Sequence, residues 1–163
     1  MEFRTAIGYD KHPLKKGIPF VLGGVRIPHG KGLSGHSDGD VLLHALVDAL
    51  LGGAALGDIG GFFPDTDARW KGANSQIFLK KACTLLEKKK ISITFVDIIV
   101  LAEKPKLSPV FESIRANLAL LLHLPSTRIS LKAKTGEKMG DIGKERAVAV
   151  FAAVTLKIEG KRK

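Results

Sequence analysis

The stretch Arg146-Ala147-Val148-Ala149-Val150-Phe151-Ala152-Ala153-Val154-Thr155-Leu156-Lys157-Ile158 decides the fold. Side chains alternate between faces along a strand. One face here would carry Val148, Val150, Ala152, Val154, Leu156 and Ile158, and the other Ala147, Ala149, Phe151 and Ala153. Both faces are apolar, and residues 93–102 are apolar on both faces too. Such strands need cover on each side of their sheet. Helices can cover one side, and in a chain of 163 residues too few elements remain to build a layer over the other. The expectation is an α+β fold, a mixed β-sheet with helices packed on one face. The second face would meet the sheets of further copies across a symmetry axis.

Working outward, residues 3–12 alternate as a strand, and Ile18 to Pro28 reads as a strand broken at Gly23-Gly24. A loop rich in Gly and His runs to Gly35-His36-Ser37-Asp38-Gly39. From Asp40 to Leu51, Leu43, Leu46, Val47 and Leu50 recur at helical spacing, with Ser37 or Asp38 as the expected cap. Residues 52–73 are glycine-rich and irregular, a loop length that usually marks function in a small domain. A second helix is expected from about Ser75 to Lys88 and a strand from Ile91 to Ala102. Ser108-Pro109 opens a third helix to about His123, and strands near Arg128–Lys134 and Arg146–Ile158 finish the chain. The predicted order is βββααβαββ in one domain, residues 1–158, followed by a basic tail at 159–163.

The chain carries 26 Lys and Arg against 16 Asp and Glu, a net charge of +10. A nucleic-acid surface would cluster these bases among aromatic rings. Here they are dispersed, and the eight Phe, one Trp and one Tyr do not interleave with the small groups at Lys15-Lys16 and Lys88-Lys89-Lys90. The charge fits a small phosphorylated substrate better than nucleic acid. No apolar run reaches the roughly 20 residues that span a bilayer. The lone Cys83 forms no intrachain disulfide, reads as a core residue between Leu79 and Leu86, and fits a reducing compartment. A cytoplasmic protein without a membrane segment is expected.

Asp10 and His12 are two apart on a strand, so they leave the same face. His44 lies in a helical stripe with Asp40 and Asp48 at spacings of four. One carboxylate and two imidazoles suit zinc with an open fourth position, as in catalytic sites. Asp48 would hold the second ring nitrogen of His44. Spacing alone leaves the ordinary alternative open, because most Asp-x-His pairs are surface residues. Likewise His36 can be merely solvated, Asp58 and Asp65 can be turn-formers, Thr135 a strand end and Lys106 a surface base.

Longer blocks narrow the choice. Tyr9-Asp10-Lys11-His12, Gly23-Gly24-Val25-Arg26-Ile27-Pro28, His36-Ser37-Asp38-Gly39-Asp40-Val41-Leu42-Leu43-His44-Ala45, Ala55-Leu56-Gly57-Asp58-Ile59-Gly60, Phe63-Pro64-Asp65-Thr66-Asp67, Ala102-Glu103-Lys104-Pro105-Lys106 and Lys132-Ala133-Lys134-Thr135-Gly136-Glu137 resemble the 2-C-methyl-D-erythritol 2,4-cyclodiphosphate synthases. Order and spacing agree over nearly the whole chain. The resemblance implies a homotrimer whose three active sites are each built from two neighbouring subunits. It implies zinc on Asp10, His12 and His44, transition-state stabilisation by His36 and Thr135, a phosphate site lined by His36 and Ser37, and Lys11 among the substrate-binding positions. Asp58, Ile59 and Gly60 resemble the ribose-contacting positions, and Phe63, Pro64, Asp65, Thr66 and Asp67 the erythritol-binding loop. Ala102, Glu103, Lys104, Pro105, Lys106, Leu107 and Ser108, with Lys134, Thr135, Gly136 and Glu137, resemble the cytidine and diphosphate pocket. Glu137 would hold a second divalent ion, magnesium or manganese.

The implied activity converts a cytidine-diphosphate sugar alcohol 2-phosphate into a cyclic diphosphate and CMP. Departures from the family pattern fall in one place. Lys134-Thr135-Gly136 replaces a run of threonines, Asp141 stands at an aromatic position, Lys144 at an arginine, Arg146 at a glutamate and Phe151 at a second glutamate. Lys144 keeps the phosphate-binding charge without the planar grip of arginine. With Phe151 in place of a carboxylate partner, these departures lead to the expectation that isoprenoid diphosphates bind weakly or not at all in the trimer channel that the resemblance implies. Two competing readings are a small metal-dependent phosphoesterase, with water as nucleophile, and a basic binding module without a metal.

Overall fold

The computed structural model describes residues 1–159, so four of the five residues of the expected basic tail lie outside the described residues. The elements are β1 (Glu2–Lys16), β2 (Phe20–Leu22), β3 (Val25–Ile27), β4 (Lys31–Leu33), α1 (Val41–Gly53), α2 (Ile59–Phe62), α3 (Gln76–Lys88), β5 (Ile91–Leu101), α4 (Phe111–Leu122), β6 (Ile129–Lys134), α5 (Gly140–Gly143) and β7 (Ala147–Ile158). Five strands form one sheet in the order β4-β1-β7-β5-β6. The doubly apolar β7 sits in the middle, antiparallel to β1 and to β5 along nearly its whole length. β6 runs parallel to β5, so the sheet is mixed, and α4 makes the crossover between the two.

The side of β7 bearing Val148, Val150, Ala152, Val154 and Leu156 is buried, with α1 lying over β1 and β7. The opposite side is open. There Phe3 is 59% exposed, Ile7 75% and Phe151 44%, and Tyr9 stacks on Phe151 with ring centroids 4.7 Å apart. This agrees with the expectation of helices on one face and a second, uncovered apolar face.

Three local differences have physical causes. A short strand, β4, forms inside the Gly/His loop by pairing with the end of β1. A single turn of helix, α2, forms in the segment expected to be irregular, another, α5, forms between the last two strands, and the third helix starts with a 3-10 turn at Ser108–Val110. The cap of α1 is Asp40, in place of Ser37 or Asp38. Its carboxylate accepts hydrogen bonds from Leu43 N (3.1 Å), Gly23 N (2.9 Å) and Gly24 N (2.6 Å). Fully buried, Asp40 therefore ties the β2–β3 turn to the helix start and does not share a site-facing stripe with His44 and Asp48. A carboxylate can be buried this way because three N–H donors replace its water.

Gly8 sets how closely α1 lies on the sheet. A Cβ there would overlap the carbonyl oxygen of Ala45 and stand 2.6 Å from Ala49 N. Only a residue without a side chain lets helix backbone and strand backbone touch. That contact is one residue from His44 and two from Asp10.

Candidate metal centre and substrate clefts

Close approach of α1 to β1 brings three donors to one point. Asp10 Oδ2 lies 2.9 Å from His12 Nε2 and 3.1 Å from His44 Nδ1, and the two ring nitrogens are 3.3 Å apart. Burial opposes ionisation of Asp10, but hydrogen bonds from His12 and His44, reinforced by their charge, outweigh it and hold the carboxyl well below the usual range. His12 Nδ1 is 3.1 Å from the carbonyl oxygen of Gly39. A carbonyl only accepts, so Nδ1 carries a proton, and Nε2, the nitrogen facing Asp10 and His44, is the one that would give up its proton to bind a cation. The donor set and its convergence within 4.8 Å fit a divalent cation of borderline softness with a coordination position left for a ligand.

The trio lines a cleft of about 430 Å³ with His36, Ser37, Asp48, Ile59, Gly60, Phe63, Pro64, Asp65, Trp70 and Phe78. A second cleft, of about 780 Å³, is lined by His29, Ala102 through Ser108, Phe111, Ala133, Lys134 and Thr135. Gly136 N donates to Glu103 Oε2 at 3.0 Å, and the Thr135 hydroxyl donates to Glu137, which folds the β6–α5 loop beside this second cleft. Glu137 and Lys138 both hold left-handed backbone there, with φ of +49° and +62°. The two clefts share no lining residue. Their strands, β1 and β6, are separated by β7 and β5, about 14 Å at ordinary strand spacing.

Residues 3–157 match the profile of the YgbB family. This chain belongs to the YgbB family. It is 50% identical over 153 residues to a 2-C-methyl-D-erythritol 2,4-cyclodiphosphate synthase of Salinibacter ruber, covering 94% of this chain and 98% of the relative. A synthase of the same name from Burkholderia ambifaria is 49% identical over 160 residues, covering 98% and 99%. Among solved structures, IspF of Plasmodium falciparum in complex with CDP superposes with a TM-score of 0.86 at 38% identity, covering 97% of each chain. The bifunctional IspDF of Campylobacter jejuni superposes at 0.93 with 43% identity; this YgbB chain spans 97% of its own length and 43% of that longer one.

Of the sequence-predicted residues of this YgbB chain, Asp10, His12, His36, Ser37, His44, Ile59, Gly60, Phe63, Pro64 and Asp65 gather in the first cleft. Ala102 to Ser108, Lys134 and Thr135 gather in the second. Several stand outside both linings. Lys11 points from the open sheet face to Asp141 (2.7 Å), Asp58 caps α2 by accepting from Gly61 N (2.9 Å), and Asp67 accepts from Arg69 (2.6 Å). Lys144 ends α5, and Thr66 is exposed in the turn before Asp67.

Asp48 lines the first cleft but does not hold the second ring nitrogen of His44. Its Oδ1 accepts from Ile59 N at 2.8 Å, pinning the start of α2. His44 Nε2 meets Ser75 Oγ at 2.8 Å and Ser37 Oγ at 3.0 Å instead. Spacing of four on a helix places side chains as neighbours, but the ring of His44 turns toward the start of α3. Ser75, Trp70 and Phe78 were not picked out from sequence. Ser75 carries a signal only as a helix start, and Trp70 only as the lone tryptophan in a glycine-rich loop.

Proposed function

We propose that this protein is a 2-C-methyl-D-erythritol 2,4-cyclodiphosphate synthase, closing 4-(cytidine 5'-diphospho)-2-C-methyl-D-erythritol 2-phosphate to the 2,4-cyclodiphosphate with release of CMP. The observation that carries this reading is the near-half identity to synthases of that name over almost the full chain, with Asp10, His12 and His44 converging in a cleft.

Asp10, His12 and His44 would hold zinc. A bound zinc supplies Lewis-acid neutralisation of phosphate charge. Glu137, an exposed carboxylate, would hold a magnesium or manganese ion, which would supply further neutralisation of diphosphate charge. An oxygen of the 2-phosphate attacks the β-phosphorus, a new P–O bond forms, and the bond from that phosphorus to the oxygen bridging to the α-phosphate breaks. CMP leaves with the bridging oxygen, and no water is consumed. Both reacting groups are anions, so charge repulsion and the entropy of bringing the ends together are the obstacles. His36 and Ser37 at the first cleft would donate to phosphate oxygens, Phe63 to Asp67 would position the erythritol moiety, and Asp58, Ile59 and Gly60 would contact the ribose. Main-chain groups of Ala102 to Ser108 would hold the cytosine, with Lys104, Lys106, Lys134 and Thr135 facing the diphosphate. No side chain has to act as nucleophile.

Two half-sites carried on strands about 14 Å apart in the sheet and an open apolar sheet face both support a trimer in which the first cleft of one subunit meets the second cleft of its neighbour. Among the described residues no helix is long and apolar enough to cross a membrane. Zinc analysis, a CMP-release assay and ³¹P NMR of the product test the reading. One equivalent of zinc per chain with a cyclic diphosphate and CMP is the expected result. A linear phosphate product would make the protein a phosphoesterase instead.

A further inference from the structure

Behind His44, on the side away from Asp10 and His12, two polar side chains, Ser75 and Asp38, form a chain that the reaction scheme does not use. His44 Nε2 is 2.8 Å from Ser75 Oγ. Ser75 Oγ is 2.5 Å from Asp38 Oδ1, and Ser75 N donates to Asp38 Oδ2 at 3.1 Å. Ser75 is completely buried. It stands at the N-cap of α3 yet makes no capping hydrogen bond with its side chain, because its hydroxyl is engaged with Asp38.

Directions follow from chemistry. A carboxylate only accepts, so the single proton of the Ser75 hydroxyl goes to Asp38. Ser75 Oγ can then only accept from His44, which keeps a proton on Nε2 and leaves Nδ1, the nitrogen facing Asp10 and His12, as the one whose lone pair a cation would take. We infer that Ser75 and Asp38 are positioning residues for the cation site: an Asp38–Ser75–His44 relay that fixes the ring orientation and tautomer of His44 and strengthens it as a ligand. Serine serves as the middle link because Asp38 is held too far round the loop to reach the ring itself. Asp38 N donates to Ala73 O (3.0 Å), and Asp40 N donates to Asp38 Oδ1 (3.2 Å). Ser37 Oγ also lies 3.0 Å from His44 Nε2, but no carboxylate backs it. Groups behind a metal ligand of this kind are worth about ten- to a hundredfold in metal affinity.

This inference rests on the cation site proposed above, and the test separates the two. Zinc affinity of the folded protein is measured by competition with a chelator for wild type, Ser75→Ala, Asp38→Asn, the double variant and Ser37→Ala. The ¹H resonance of the His44 Nε2–H is followed in each zinc-loaded protein. Ser75→Ala keeps the main-chain bond to Asp38, so the loop stays anchored while the relay is cut. Expected are an affinity loss of about ten- to a hundredfold for Ser75→Ala, a smaller loss for Asp38→Asn and for Ser37→Ala, and a double variant no weaker than Ser75→Ala. The Nε2–H signal moves in both relay variants. Losses that multiply in the double variant, a Ser37→Ala loss equal to that of Ser75→Ala, or affinities unchanged from wild type overturn the relay. An affinity loss with an unmoved Nε2–H signal also overturns it, because Ser75 would then be only a packing residue. Wild-type protein that takes up no zinc overturns the cation site itself, and the relay with it.

Discussion

Replacing Gly8 by alanine adds one methyl group where helix and strand backbones touch. The new Cβ would overlap Ala45 O and stand 2.6 Å from Ala49 N. Neither neighbour is a flexible side chain, so α1 or β1 must move until contact is restored near 3.5 Å, a displacement of about 1.5 Å set by the tighter overlap with Ala45 O. Overpacking of this kind costs about 1–3 kcal/mol. In a domain of this size that lowers Tm by about 2–12 °C, at roughly 2–4 °C for each kcal/mol. The same displacement falls on His44, whose Nδ1 now stands 3.1 Å from Asp10 Oδ2. Ligand bonds tolerate only a few tenths of an ångström, so zinc affinity should fall at least tenfold. Gly52→Ala serves as the control on the same helix. Nothing lies within 4 Å of a Cβ there, and the change should stabilise by up to about 1 kcal/mol through helix propensity. Differential scanning calorimetry and zinc competition read both variants. A Gly8→Ala protein with wild-type Tm and wild-type zinc affinity would refute the idea that close backbone contact builds the metal centre.

Other outcomes follow from the same geometry. His44→Ala and Glu137→Ala should each be inactive alone and regain part of the activity when refolded together into mixed oligomers, since they lie in different half-sites; verified mixed oligomers without recovery would count against shared sites. Glu103→Ala removes the acceptor of Gly136 N and should raise KM about tenfold or more, a charge-assisted hydrogen bond being worth about 1.5–3 kcal/mol, while zinc stays bound; loss of zinc would show that the two clefts are not independent. Burial, with Glu87 nearby, pushes the Cys83 thiol up to about 11. Only thiolate reacts, so alkylation at pH 8 should run about a hundredfold slower than for a thiol at its ordinary value and speed up toward pH 11. Rapid labelling at pH 8 in the folded protein would contradict that burial.

Much of this was legible in the chain. Alternation in 147–158 and 91–101 specifies strands that need cover on both faces, because a strand points successive side chains to opposite sides whatever surrounds it. Asp10 and His12 are forced onto one face by the same rule, and the periodicity of Leu43, Leu46, Val47 and Leu50 turns His44 away from the core stripe. These readings depend on neighbours a few residues apart, where covalent geometry dictates direction. Sequence blocks alone also pointed to the family.

The tertiary structure decided what depends on contacts between distant segments. Asp40 looked like one more member of a helical stripe; only the arrival of the Gly23-Gly24 turn makes it a buried anchor. Asp48 had the right spacing to serve His44, yet Ser75, 31 residues from that histidine, takes the place. The freedom of Gly8 gained its meaning only when α1 crossed above it. The separation of the two clefts follows from strand order, with β7 inserted between β1 and β5 although it comes last in the chain. Local sequence sets which way each side chain leaves the backbone; which partner it meets is set by long-range packing, where many weak contacts choose one arrangement of elements together.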